Sequence, residues 1–146
     1  MKKLLWVAAL FVAFQSSAQI SFTDSTTSWE QLSKSAKKDK KLLFIHFSGS
    51  DCEQCNEVAN KGFSSPLLKK EFDSNFLSIQ TDFASGNGKN LAKRFGIERP
   101  LVSLFVDTEG NILNRFDGTT SNPHSYLASA QQATRRKAGK QLSDYE

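Results

Sequence analysis

The apolar positions of this chain change period several times, and each change marks an element. Between Leu4 and Phe14 they run together as one block. In SWEQLSKSAKKD, residues 28 to 39, Trp29, Leu32 and Ala36 fall on one helical face behind Ser28, a suitable cap. KLLFIHF, 41 to 47, is short and continuously apolar, as expected of a strand buried on both faces. The loop SGSD follows, where Ser50 or Asp51 can cap a helix that starts near Cys52 and ends around Lys61. Ser64-Ser65-Pro66 opens another helical piece, PLLKKEF, with proline in the first turn, where no N–H is needed. NFLSIQTDF, 75 to 83, alternates like a strand; ASGNG reads as a loop and KNLAKRF as a short helix ended by Gly96. Beyond Pro100, LVSLFVD predicts a strand, T-E-G-N a tight turn and ILNRF the antiparallel partner. DGTTSNPH reads as a loop and SYLASAQQATRRKA as a closing helix. The order α-β-α-β-α-β-β-α predicts an α/β domain: a central mixed four-stranded sheet with helices on both faces.

The first apolar block belongs to something other than the fold. Lys2 and Lys3 precede it, and Ser16, Ser17 and Ala18 close it, so residues 1–18 have the form of a secretory signal peptide with cleavage expected after Ala18. Its 11 apolar residues fall short of the roughly 20 that a membrane-spanning helix needs. The expectation is an exported protein, in a bacterial periplasm, with residues 19–138 as one domain and 139–146 as a C-terminal tail. Removing Lys2 and Lys3 leaves 17 basic residues against 15 acidic, so a net charge of +4 falls to about +2. No basic stripe interleaved with aromatic residues runs along the chain, which argues against a nucleic-acid partner. The cluster R-R-K-A-G-K at 135 to 140 reads as a solvated helix end. Of the 12 phenylalanines, Phe44, Phe47, Phe76, Phe105 and Phe116 fall in strand patterns and read as core.

The candidate chemistry lies in S-D-C-E-Q-C-N, residues 50 to 56, which holds the chain's two cysteines, Cys52 and Cys55. An exported domain stapled by disulfides spreads its cysteines, whereas these close a tiny loop and would add little chain-entropy stabilisation. Haem attachment requires histidine where Asn56 stands. A zinc site wants four ligands, and only His46 and His124 are available beside the pair, so no metal site is assigned. Copper(I), which two thiolates and an imidazole suit, remains an alternative. So does a binding module without turnover.

With its C-x-x-C at the start of the helix after the first strong strand, the chain resembles the thioredoxin superfamily from about Trp29 to Ala133. K-K-L-L-F-I-H-F, S-G-S-D-C-E-Q-C, F-S-S-P, R-F-G-I-E-R-P and L-F-V-D-T-E-G look like segments of exported bacterial thioredoxin-like domains. Among these is the C-terminal domain of the membrane disulfide-reductant transporter. The resemblance implies a thioredoxin-like fold and a thiol–disulfide oxidoreductase, with Cys52 as nucleophile and Cys55 as resolving thiol. It implies protein or small-molecule disulfides as substrates, a membrane-bound electron donor, no cofactor, and a monomer.

Three positions depart from the family pattern. Asp51 stands where tryptophan usually precedes the first cysteine; with Glu53 it disfavours the thiolate, and equally it suits a helix cap. On either role the nucleophile is expected to be less acidic than in oxidising relatives, which biases the protein toward reduction. His46 stands where the family buries an acid, six residues before Cys52; it reads either as a proton carrier or as a core histidine bonded to backbone. Pro100 is the candidate for the family's cis-proline facing the dithiol, although it follows Arg99 and lies one residue early. In that place Arg99 would sit beside the dithiol and favour the thiolate or acidic partners.

Overall fold

The computed structural model describes residues 18–143; the expected signal peptide, except for Ala18, lies outside them. Five strands form one sheet in the order β1-β3-β2-β4-β5: β1 Phe22–Thr23, β2 Leu42–Ser48, β3 Phe76–Asp82, β4 Val102–Val106 and β5 Ile112–Asp117. β3 runs parallel to both β1 and β2, while β4 is antiparallel to β2 and β5. The expected four strands are thus joined by a fifth, β1, which pairs with Ser78 and Ile79 at the sheet edge. A two-residue strand carries no periodic signal of its own. It is held by the neighbouring Ile20, which is buried, and by Phe22, whose ring meets Phe44 and Phe63 at 6.4 and 5.6 Å.

The helices are α1 Trp29–Asp39, α2 Glu53–Glu57, α3 Pro66–Asn75, α4 Gly86–Phe95 and α5 Pro123–Ser143. Ser28 caps α1 in a reciprocal box with Gln31, and Gly96 ends α4 in the left-handed conformation, as the sequence predicts. The helix expected from Cys52 to Lys61 is instead α2 followed by a π-helical stretch, Val58–Gly62. α4 begins three residues before the predicted start. At Gly88 its backbone comes so close to the Asp82 carbonyl that any Cβ would collide with it, which turns the glycine-rich segment into a first helical turn. α5 runs through Ser143, past the expected tail boundary at 139.

Strand alternation divides the core into two layers. Leu42, Phe44, Phe76 and Phe105 face α2, α3 and α5, packing with Cys55, Val58, Leu68, Phe72 and Tyr126. Leu43, Ile45, Phe47, Ile79, Val102, Leu104 and Val106 face α1 and α4, packing with Trp29, Leu32, Ala36 and Leu91. The continuous apolar run of β2 is explained: each of its faces meets a different layer.

Candidate functional site

The site is built where β2 runs out. Ser48 ends the strand, residues 49 to 51 turn, and Cys52 takes extended backbone dihedrals as the cap of α2. The expected cap, Ser50 or Asp51, is therefore displaced by one or two positions. The Cys52 sulfur itself takes the capping role, accepting the Cys55 N–H at 3.1 Å. Asp51 is exposed on the loop and Glu53 exposed in the first helical turn, so two carboxylates flank Cys52 in sequence.

Cys52 and Cys55 form a disulfide, with Cα atoms 5.2 Å apart. The two sulfurs differ in access. Cys52 is partly exposed, while Cys55, one turn further on, is 2% exposed and belongs to the layer of Phe44, Phe63 and Tyr126. An attacking thiol needs to meet its substrate and a resolving thiol does not, so access distinguishes the two roles.

An open groove of about 390 Å³ borders the disulfide, lined by Cys52, Gln54, Arg99, Pro100, Leu101, Asp117, Gly118 and Thr119. Pro100 thus lies at the dithiol, as the resemblance implied, but its peptide bond is trans, as are all those of the described residues. The turn into β4 is made instead by Leu101, which holds a left-handed φ of 62°. Its N–H donates to the Phe47 carbonyl at 2.7 Å, and its carbonyl accepts from the Gly118 N–H at 3.2 Å. A buried leucine in that region costs about 1–2 kcal/mol, which these two bonds and the surrounding packing must hold in place.

Arg99 is exposed and is already engaged. Its Nη2 lies 3.2 Å from Asp117 Oδ2, and Arg115 Nε lies 2.9 Å from Asp117 Oδ1. One carboxylate lining the groove, at the end of β5, thus serves two guanidiniums. In the sequence D-G-T-T reads simply as a loop, and no local pattern marks Asp117, Gly118 and Thr119 for the site. Only the antiparallel return of β5 along β4, with Asp117 opposite Val102, brings them to the dithiol.

On the face of the sheet that also carries Phe44 and Phe105, His46 is 1% exposed. Its ring packs edge-on against Phe63 at 4.8 Å and near Phe44 at 6.4 Å. Nδ1 is 2.8 Å from the Ser103 hydroxyl, while Nε2 has no partner. Burial alone pushes the imidazole down from 6.5 to about 4, so it is neutral at physiological pH. The expected backbone partner is replaced by a serine side chain. Ser103 was legible only as a strand residue until β2 and β4 paired it with His46.

Among the described residues no three His, Cys, Asp or Glu side chains are grouped as a metal would need. His124, the second imidazole considered for copper, lines a separate small pocket with Ser65, Leu67 and Leu127.

A search of curated protein sequences gives no significant match. Solved structures do match. A putative disulphide-isomerase from Bacteroides thetaiotaomicron superposes with a TM-score of 0.64 at 23% identity, covering 81% of this chain and 93% of its own. The DsbH oxidoreductase gives 0.65 at 18% identity, covering 80% and 85%. The oxidised C-terminal domain of DsbD from Neisseria meningitidis gives 0.56 at 17%, covering 74% and 97%. At these identities the likeness shows a shared thioredoxin-like fold. A family model reaches further, matching residues 24–137, from just after β1 nearly to the end of α5. That span contains the Cys52–Cys55 disulfide, its groove and the buried His46, and by it the chain belongs to the thioredoxin-like family.

Proposed function

We propose that this protein is an exported thiol–disulfide oxidoreductase that reduces disulfides in other proteins. The observation that carries this is the asymmetry of the disulfide: Cys52 opens on a groove, and Cys55 is buried directly behind it. In the reduced protein the Cys52 thiolate, stabilised by the Cys55 N–H, attacks a substrate disulfide and displaces one substrate sulfur as thiolate. Cys55 then attacks Cys52 in the mixed disulfide; the internal disulfide forms, and the second substrate sulfur leaves. His46, neutral and buried in the same layer, takes the proton that Cys55 must shed. Arg99, Pro100 and Asp51 frame the surface on which the substrate lies.

One feature favours reduction over oxidation, and two fit thiol–disulfide exchange in either direction. Asp51 and Glu53 oppose the thiolate at Cys52 by like-charge repulsion, and a thiolate that is less stabilised gives up electrons more readily. The groove of about 390 Å³ beside Cys52 is open to an extended protein segment. The structural neighbours named as a disulphide-isomerase and an oxidoreductase have names consistent with the same exchange chemistry. No resident cofactor is required; electrons come from a partner, which for an exported protein is a membrane-bound dithiol donor.

Turnover of insulin disulfides with dithiothreitol as electron source tests this. The protein is expected to accelerate insulin reduction, and Cys52→Ser to abolish the acceleration with the fold intact. A wild-type protein that leaves the rate unchanged would make the domain a binding module instead.

A further inference from the structure

The groove beside Cys52 has two charged residues in its lining, Arg99 just before β4 and Asp117 at the end of β5. A simple pair of this kind would be neutral, and an exposed one contributes little to stability. Here a third charge breaks the balance. Asp117 Oδ2 lies 3.2 Å from Arg99 Nη2, while Oδ1 accepts from Arg115 Nε at 2.9 Å. One carboxylate, −1, thus stands between two guanidiniums, +2, and the cluster is left at +1. A guanidinium offers several N–H donors in a fixed fork, and each of these spends one on Asp117. Neither makes a further side-chain hydrogen bond among the described residues, and the Arg99 side chain is 66% exposed.

The backbone on either side of this cluster is fixed. Pro100, next to Arg99, has its φ set by its ring. The Leu101 N–H is bound to the Phe47 carbonyl, and the Leu101 carbonyl takes the Gly118 N–H at 3.2 Å, which ties the segment after Arg99 to the segment after Asp117. We propose that Arg99 is a specificity-determining residue: its guanidinium takes a carboxylate that the substrate carries near its disulfide, so the groove prefers acid-flanked protein disulfides. Arg115, which is not in the lining, engages Asp117 and leaves Arg99 with charge to spare; Asp117 is the internal competitor for that charge. This inference rests on the oxidoreductase function proposed above and names the class of disulfide that the site takes.

Asp51 and Glu53 are exposed beside Cys52 in sequence but line no part of the groove. They oppose a carboxylate at the sulfur itself, whereas one further along the substrate chain meets Arg99. The contact is a charge-assisted hydrogen bond in an open groove, so it is worth a few-fold in preference and is screened by salt. The two members of the Arg99–Asp117 pair should then act with opposite signs. Removing the arginine charge removes the preference for acid. Removing the aspartate charge leaves both guanidiniums uncompensated and strengthens that preference. Arg115→Gln should weaken it from outside the lining, because Asp117 then neutralises Arg99 alone. An ion pair that only held the groove in shape would give the same result whichever partner was removed.

The test is reduction by the full chain, with dithiothreitol as electron source, of peptide disulfides that differ at one residue near the cysteine: Glu, Gln or Lys. At low salt kcat/KM should fall in that order, by about threefold per step and mainly through KM, and the differences should collapse near 1 M salt. Arg99→Glu should invert the order, Arg99→Gln should flatten it and Asp117→Asn should widen it. Equal kcat/KM for the three peptides in wild type overturns the proposal. So do Arg99→Gln and Asp117→Asn variants that shift the Glu-to-Gln ratio in the same direction. A second arm reads binding without turnover: the oxidised chain is titrated with the Glu and Gln peptides, serine replacing their cysteine, and followed at the arginine side-chain ¹⁵N–H signals. The Glu peptide should move the Arg99 signal and the Gln peptide should not. If no peptide is reduced at all, the oxidoreductase function falls, while this arm still decides the charge preference; an Arg99 signal that the Glu peptide leaves unmoved overturns the proposal.

Discussion

On the α1–α4 side of the sheet, the strands contribute aliphatic side chains almost exclusively: Leu43, Ile45, Ile79, Val102, Leu104 and Val106, with Phe47. On the side of α2, α3 and α5 the layer is aromatic, with Phe44, Phe63, Phe72, Phe76, Phe105 and Tyr126 in mutual contact. Among the described residues, the two buried unpartnered side-chain atoms, His46 Nε2 and Ser78 Oγ, belong to the aromatic side, as does Cys55. One face is therefore packed for stability, and the other gives up some stability to hold polar groups among its aromatic rings. The two faces should respond differently to mutation and to pH.

The largest difference is expected at Gly88. A Cβ there collides with the Asp82 carbonyl and the Thr81 hydroxyl on the aliphatic side, so Gly88→Ala should cost about 3 kcal/mol or more in chemical denaturation. Activity per folded molecule should stay unchanged, because the dithiol lies at the far side of the sheet. A Gly88→Ala protein that folds normally but turns over slowly would break the division.

Acid should act through the other face. The folded imidazole of His46 sits at about 4 against 6.5 in its ordinary state, so the unfolded chain binds the extra proton first. Stability contributed in this way is complete above pH 6.5 and is lost as the pH falls toward 4, on the order of 3 kcal/mol at about 1.4 kcal/mol per unit. Denaturation midpoints across that window measure it, and His46→Leu should flatten that part of the profile.

At neutral pH a paired substitution should give opposite signs. Replacing His46 by Leu together with Ser103 by Ala removes the unpartnered nitrogen and its hydrogen-bonded hydroxyl at once and should stabilise by about 1 kcal/mol while slowing turnover. Ile45→Val, its neighbour on the aliphatic face, should destabilise by about 1 kcal/mol with turnover unaffected. The same sign for both would mean that His46 is ordinary core. The smallest effect belongs to the surface: Glu57→Gln, which breaks the exposed pair with Lys61 at 3.2 Å, should shift stability by less than about 0.5 kcal/mol.

What the sequence revealed follows the same division. The run LLFIHF marks a strand buried on both sides because apolarity without alternation has few other meanings at that length, and Ser28 and Gly96 bound their helices by local chemistry. Cys52 and Cys55 declare themselves by spacing and by the strand before them. The residues that surround them do not. Asp117 and Ser103 reach the site through strand pairing across 65 and 57 residues of chain from Cys52 and His46 respectively, and no local pattern encodes that pairing. Pro100 was found, but the form of its turn was not, because the left-handed conformation of Leu101 depends on bonds to Phe47 and Gly118. Ser50 and Asp51 are the caps the sequence offers for α2 because their side-chain oxygens accept N–H groups, whereas here the sulfur of Cys52 takes the N–H.

The central claim is that this pair exchanges electrons with substrates and does so as a reductant. Equilibrating the full chain in glutathione buffers and reading the Cys52–Cys55 couple tests it directly. A reversible two-electron couple at roughly −270 to −200 mV is expected. A couple near −120 mV would mark an oxidant and contradict the role assigned to Asp51 and Glu53, and a disulfide that never reduces in the range would contradict turnover altogether.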